Sequence, residues 1–218
     1  MNDVTLHGYW RSSGVYRTRI ALGLKGISYK YRAVNLLAGE QSAPEYLAIN
    51  PMGLVPALEI DGHIYTESVA LIELLDELQP EPRFFPGDAF DRARIRALVE
   101  TINAGTQPLH NLRTVKALGG TQEEKDAWTQ SVIHRGFTAF EALLERFEAE
   151  HRQSSGPFCV GIGPTAADIL VVPQCYAARR FKVDLTPFPR VLRAEAAMLA
   201  LPQVAAAAPE KQPDFPGL

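Results

Sequence analysis

A chain of 218 residues, 46% of them hydrophobic, is long enough to bury one or two compact cores without disulfide or metal staples. Its formal net charge of -3 exerts no general pull on nucleic acid or an anionic membrane, so an anionic partner has to be held by a local group of cations. Cys159 and Cys175, with no Cys-x-x-Cys pair and no His/Cys cluster at metal-ligand spacing, argue for a reducing compartment and against a disulfide framework or a metal site, and with neither a leader pattern nor an apolar run of about 20 residues the expectation is a cytoplasmic chain with no nucleic-acid or membrane partner.

Short β-prone runs at 4–9 and 29–34 flank a helical stretch over 15–25 that Gly26 ends, which is a β-α-β unit. The runs 56–60 and 63–65, joined by Asp61-Gly62, predict a hairpin, because Asp-Gly readily supplies the positive φ angles of a tight turn. A helix follows with Leu71, Ile72, Leu75 and Leu78 on one face. This order predicts a thioredoxin-like α/β domain over 1–82. The Pro-rich stretch 79–88 then reads as a linker to a second, all-α domain over 90–218. In that domain Ile95, Leu98, Val99 and Ile102 form one apolar stripe, and Ile133, Phe137, Phe140, Leu144 and Phe147 another. Thr165-Ala-Ala-Asp168 is a capping box that opens a further helix, with Pro164 and Ile169 placed to staple it. From Leu201 the Ala-rich tail reads as a short helix and an irregular end, without a chemical motif.

Arg11-Ser12-Ser13-Gly14 joins the first strand to the first helix, where unpaired N–H groups and positive partial charge favour an anion. A bound thiol with an ordinary pKa of about 8.5 is held as thiolate in such a place. Because both cysteines of the chain lie elsewhere, the thiol would belong to a cofactor, with Ser12 donating to its sulfur and Ser13 in support; an ordinary serine cap satisfies the same four residues. After the Asn50-Pro51-Met52-Gly53 turn, Val55-Pro56 heads a β-run, and a cis bond there offers the Val55 backbone to an extended peptide ligand. Glu67-Ser68 opens the helix after the hairpin, a second helix N-terminus able to receive a carboxylate.

Together, Arg11-Ser-Ser-Gly-Val-Tyr-Arg-Thr-Arg-Ile-Ala-Leu, Asn50-Pro-Met-Gly-Leu-Val-Pro-Ala-Leu, Glu67-Ser68 and Gln107-Pro-Leu-His-Asn-Leu resemble the zeta class of the glutathione transferase family, over essentially the whole chain. The resemblance implies glutathione as cofactor and a homodimer. It makes Ser12 the thiol-activating serine, makes Gln41, Val55, Pro56, Glu67 and Ser68 glutathione contacts, and makes Gln107 and Asn111 interdomain or cross-subunit contacts. Zeta enzymes usually read Ser-Ser-Cys where this chain has Gly14 in third place, and the family's Gln before Val-Pro is replaced by Leu54. Tyr9, near the end of the first strand, is an alternative hydroxyl for the sulfur.

Arg11, Arg113 and Arg179 are candidates to anchor a small diacid, because the planar guanidinium pairs bidentately with carboxylate; pairing with nearby Glu is the ordinary alternative. The segment 178–189 resembles that of bacterial glutathione-dependent maleylpyruvate isomerases, and Arg113 matches an arginine of that subgroup. The resemblance therefore implies a cis-trans isomerase of maleylpyruvate or maleylacetoacetate, working by reversible thiolate addition, with Arg11 beside Ser12 at the reacting centre. A glutathione-conjugating transferase or dehalogenase, and a non-catalytic binding protein on the same scaffold, are the rival readings.

Overall fold

The computed structural model of the chain describes residues 3–150 and 155–217. These form two compact units, the residues up to Pro82 together with 201–217, and 83–200.

In the first unit, β1 (Val4–Gly8), β2 (Lys30–Ala33), β3 (Ala57–Ile60) and β4 (His63–Thr66) form one sheet in the order β2-β1-β3-β4. Strand β1 runs parallel to β2 and antiparallel to β3, with Leu6 between Tyr31 and Leu58. A parallel pair requires a crossover, which α1 (Ser13–Leu24) supplies. The β3-β4 turn takes the positive φ values that Asp-Gly favours, 49° at Asp61 and 84° at Gly62. Every residue of β1 is buried, whereas the edge strand β4 is exposed from His63 to Tyr65. A short 3-10 turn, Glu40–Ser42, and α2 (Pro44–Leu47) cross to the hairpin, and α3 (Ser68–Leu78) follows it. Leu71, Ile72 and Leu75 are buried as predicted; Leu78, expected on the same face, is half exposed. This is the thioredoxin-like arrangement.

Helices α1 and α3 pack together and are pinned at their C-terminal ends by Lys25. Its side chain is wholly buried, and Nζ donates to Asp76 Oδ1 at 2.8 Å, to the Gln79 carbonyl at 2.6 Å and to the Pro82 carbonyl at 2.7 Å. An ammonium buried in this way is tolerated because each of its three protons has an acceptor.

The tail departs from the sequence reading, which assigned all of 90–218 to the helical domain: residues 201–217 belong to the first unit instead. Helix α9 (Pro202–Ala206) lies on α1, approaching so closely at Gly23 that a Cβ there would stand 3.3 Å from the Gln203 carbonyl. The physical reason is burial of Val204 and Ala207 together with polar pairing across great sequence distance. Buried Arg19 donates from Nε to the Ala207 carbonyl at 2.9 Å, and Asp214 Oδ2 accepts from the Trp10 N–H at 2.8 Å and the Tyr31 hydroxyl at 3.2 Å.

The second unit is helical: α4 (Ala89–Asn103), α5 (Leu112–Ala117), α6 (Gln122–Glu150), α7 (Ala166–Arg180) and α8 (Pro189–Leu199). Helices α4 and α8 each pack on α6 and α7. The two predicted stripes are buried. Asp168 completes the predicted capping box, its Oδ2 accepting from the Thr165 N–H at 2.8 Å and from the Thr165 hydroxyl at 2.7 Å. Helix α4 has an unforeseen counterpart in Asp88 and Asp91. Gly136 in α6 admits Thr106, whose hydroxyl would lie 2.1 Å from an added Cβ; this seats the 3-10 turn Gln107–His110.

Candidate active site

The Ser12 N–H donates to the Tyr9 carbonyl at 3.0 Å, closing a turn whose central residues are Trp10 and Arg11. Ser12 is the N-cap of α1, and its Oγ accepts from the Val15 N–H at 3.4 Å. Accepting in the cap leaves the hydroxyl proton for a second partner, so capping and a contact to sulfur are compatible roles. The first turn of α1 contains no acidic side chain to offset its positive end. Ser12 and Ser13 are partly exposed, whereas the ring of Tyr9 is buried beside Trp10. The Arg11 guanidinium lies over the Trp10 ring, 5.3 Å from its centroid.

Gly14 shows that three separate sequence elements meet here. A Cβ on Gly14 would stand 3.0 Å from Pro56 Cδ, 3.3 Å from the Val55 carbonyl oxygen and 3.8 Å from Ser68 Cβ. A Cβ in the third place of the loop is therefore accommodated when the Val55-Pro56 segment gives by a few tenths of an ångström. The Val55-Pro56 peptide is cis, as anticipated. Just before it, the Leu54 carbonyl accepts from the Tyr46 hydroxyl at 2.7 Å and from Asn50 Nδ2 at 2.8 Å.

Glu67 has φ 69° and ψ 114°, a backbone region that an L-residue with a side chain occupies only under strain, and such outliers concentrate at ligand sites. The strained residue swings directly into the N-terminus of α3 at Ser68. Ser68 is buried, and its Oγ accepts from Arg17 Nη1 at 3.2 Å. Arg17, itself 2% exposed, was not singled out by the sequence; it places a cation behind a first helical turn that holds no acidic residue beyond the Glu67 N-cap. Gln41 lies in the 3-10 turn with its Oε1 buried and without a hydrogen-bond partner among the described residues.

The remaining expected residues lie in the second unit. Gln107 opens its 3-10 turn and is partly exposed. Asn111 caps α5, Oδ1 accepting from the Arg113 N–H at 3.1 Å, so the ordinary capping role is realised. Arg113 is exposed. Arg179, in the last turn of α7, is forked onto buried Glu195 through both Nη atoms, with Nη2 to Oε2 at 2.6 Å. This hydrogen bonding pushes the Arg179 pKa up, and it realises the pairing alternative for that residue. His110 Nε2 lies 3.3 Å from Oε1 of buried Gln174. Burial drives both thiols, Cys159 and Cys175, well above their usual pKa, consistent with cysteines that take no part in the chemistry.

Residues 6–83 match the glutathione S-transferase N-terminal domain. With relatives along its whole length, the chain belongs to the glutathione S-transferase family. It is 40% identical to maleylacetoacetate isomerase of Dictyostelium discoideum, over 98% of this chain and 96% of that protein. Among solved structures, a maleylpyruvate isomerase described as a bacterial zeta-class glutathione transferase superimposes with a TM-score of 0.90 at 39% identity, over 96% of this chain and 99% of the other. Maleylacetoacetate isomerase of Anaeromyxobacter dehalogenans 2CP-1, with glutathione bound in its active site, gives a TM-score of 0.85 at 43% identity, over 98% of each chain.

Proposed function

We propose that the protein is a glutathione-dependent cis-trans isomerase of maleyl diacids, converting maleylpyruvate to fumarylpyruvate or maleylacetoacetate to fumarylacetoacetate. The observation that carries this reading is the meeting of the Ser12 loop, the Val55-Pro56 segment and Ser68 around Gly14. Glutathione fits the donors and acceptors there. The Ser12 hydroxyl and the start of α1 favour a thiolate, the Val55 backbone suits an extended peptide, and Ser68, backed by Arg17, suits a carboxylate at the start of α3. The buried Gln41 carbonyl and the exposed Glu67 carboxylate are acceptors for an ammonium.

Bound glutathione supplies a thiolate that adds reversibly to the cis double bond, turning it into a single bond free to rotate, and leaves unchanged once the trans product forms. The protein's part is electrostatic and positional. Ser12 holds the sulfur ionised, while Arg11 stabilises the negative charge that develops on the carbonyl conjugated to the double bond. Arg11, Arg113 and Arg179 are the proposed anchors for the substrate carboxylates, Arg179 through the N–H groups that Glu195 does not take. Gln107 and Asn111 are proposed ligand-side polar contacts.

The same reading carries a cytoplasmic homodimer. Exposed Met52, Ile64 and Tyr65 in the first unit supply apolar surface for a second copy, and light scattering tests it. No helix among the described residues is long and apolar enough to cross a membrane. The deciding experiment mixes the protein with maleylpyruvate, with and without catalytic glutathione, and follows fumarylpyruvate and free thiol together. Isomer with thiol conserved is the expected result. Thiol consumed would make the protein a conjugating transferase, and glutathione binding without turnover of either maleyl acid would leave a binding protein.

A further inference from the structure

The turn that presents Arg11 and Ser12 is held from the other end of the chain. Its central peptide groups are not bonded within the turn, so their orientation depends on what binds them from outside. The Trp10 N–H donates to Asp214 Oδ2 at 2.8 Å, and the Trp10 carbonyl accepts from Arg19 Nη2 at 3.0 Å. Both holders are themselves anchored. Asp214 Oδ2 also accepts from the Tyr31 hydroxyl at 3.2 Å, a phenol that burial keeps protonated. Arg19, 1% exposed, donates to the Ala207 carbonyl at 2.9 Å. The Phe215 ring stands edge-on to the Trp10 indole, 5.0 Å between centroids, and the Arg11 guanidinium lies over that same indole.

We propose that segment 201–217 is a clamp on the active-site turn and that Asp214 is a positioning residue for Arg11 and Ser12. The clamp rests on the geometry alone; its effect on turnover rests on the isomerase reading of the site. Asp214 touches neither cofactor nor substrate and acts only through the Trp10 peptide. Its two oxygens are unequal: Oδ2 accepts twice, while Oδ1 is buried without a hydrogen-bond partner among the described residues. An asparagine can therefore place its amide nitrogen at the Oδ1 position and keep both accepted bonds. An alanine keeps neither.

The test compares Asp214→Ala with Asp214→Asn in the whole protein, reading amide hydrogen exchange across 9–14, the ultraviolet titration of bound glutathione thiol, and kcat with maleylpyruvate. For Asp214→Ala the amide exchange rises, the bound thiol pKa moves up by about half a unit to one unit, and kcat falls about tenfold, as small misplacements of reacting groups do. Asp214→Asn stays within about twofold of the parent in kcat, since the accepted bonds persist. Tyr31→Phe, which loses one donor and leaves the Trp10 bond, guards against reading a folding defect as misplacement and is expected to titrate like the parent. Unchanged exchange in Asp214→Ala overturns the clamp. Faster exchange with unchanged thiol titration and kcat overturns the positioning role. A parent protein with no bound thiolate and no turnover refutes the isomerase reading, and the exchange data then decide the clamp by themselves.

Discussion

Lys25→Met tests how firmly the two site-bearing helices are tied. The substitution keeps most of the buried stem and removes the ammonium, which strips Asp76 of its cationic partner and leaves the Gln79 and Pro82 carbonyls without that donor. The side chains of the pair are 0% and 7% exposed, so water does not replace what is lost. Deleting one partner of such a pair costs about 3–5 kcal/mol. At about 2–4 °C per kcal/mol for a chain of this size, the thermal midpoint of the chain falls by roughly 6–20 °C, read by circular dichroism or calorimetry. The double variant Lys25→Met with Asp76→Leu recovers part of the loss, because no buried carboxylate is then left behind. A loss below about 1 kcal/mol for Lys25→Met alone would refute the idea that this pair ties α1 to α3.

Ser12→Ala is expected to raise the pKa of bound glutathione thiol by about one unit and to cost about 1 kcal/mol through the lost cap, and an unchanged titration would transfer the role to Tyr9. Arg113→Ala is expected to raise KM for the diacid about tenfold or more while glutathione affinity holds; equal loss of both would remove it as an anchor. His7 supplies a pH signature. Burial holds its pKa below the usual 6.5, with Glu59 partly opposing and Arg32 adding to the shift, so the unfolded chain takes up the proton first as pH falls. Stability contributed by neutral His7 is thus full above about pH 6.5 and drains away below it; His7→Gln is expected to flatten that acid slope in urea unfolding, and an unchanged slope would count against His7 as its source.

Local chemistry made much of the fold readable. Asp61-Gly62 could hardly be anything but a tight turn, Ser12 and Thr165 announce helix starts, and the apolar stripes of α4 and α6 are buried where their spacing puts them. The first unit's site was legible for the same reason, since its parts are helix starts and a proline. Arg17 and Arg19 were not legible. Helix α1 is buried at every position from Val15 to Leu22, so its periodicity gives no hint that two arginines point into the protein. Their partners, Ser68 for one and Ala207 and Trp10 for the other, are tertiary. The Arg179–Glu195 fork escaped for a similar reason, joining two helices across 16 residues. Residues 201–217 carry no apolar period strong enough to say which unit they cover, and what places them is a few buried apolar residues such as Val204 and Ala207 together with long-range hydrogen bonds.

The discontinuity of the first unit has a consequence during synthesis. Between Pro82 and Leu201 the ribosome must make the 118 residues 83–200. At about 5–20 residues per second this takes roughly 6–24 s. Throughout that interval the chain already made contains Arg19 without its Ala207 acceptor and Trp10 without Asp214. On the clamp proposed above, a first unit still without residues 201–217 presents Arg11 and Ser12 on a turn that lacks one of its holders, Asp214, and whose other holder, Arg19, lacks its own anchor.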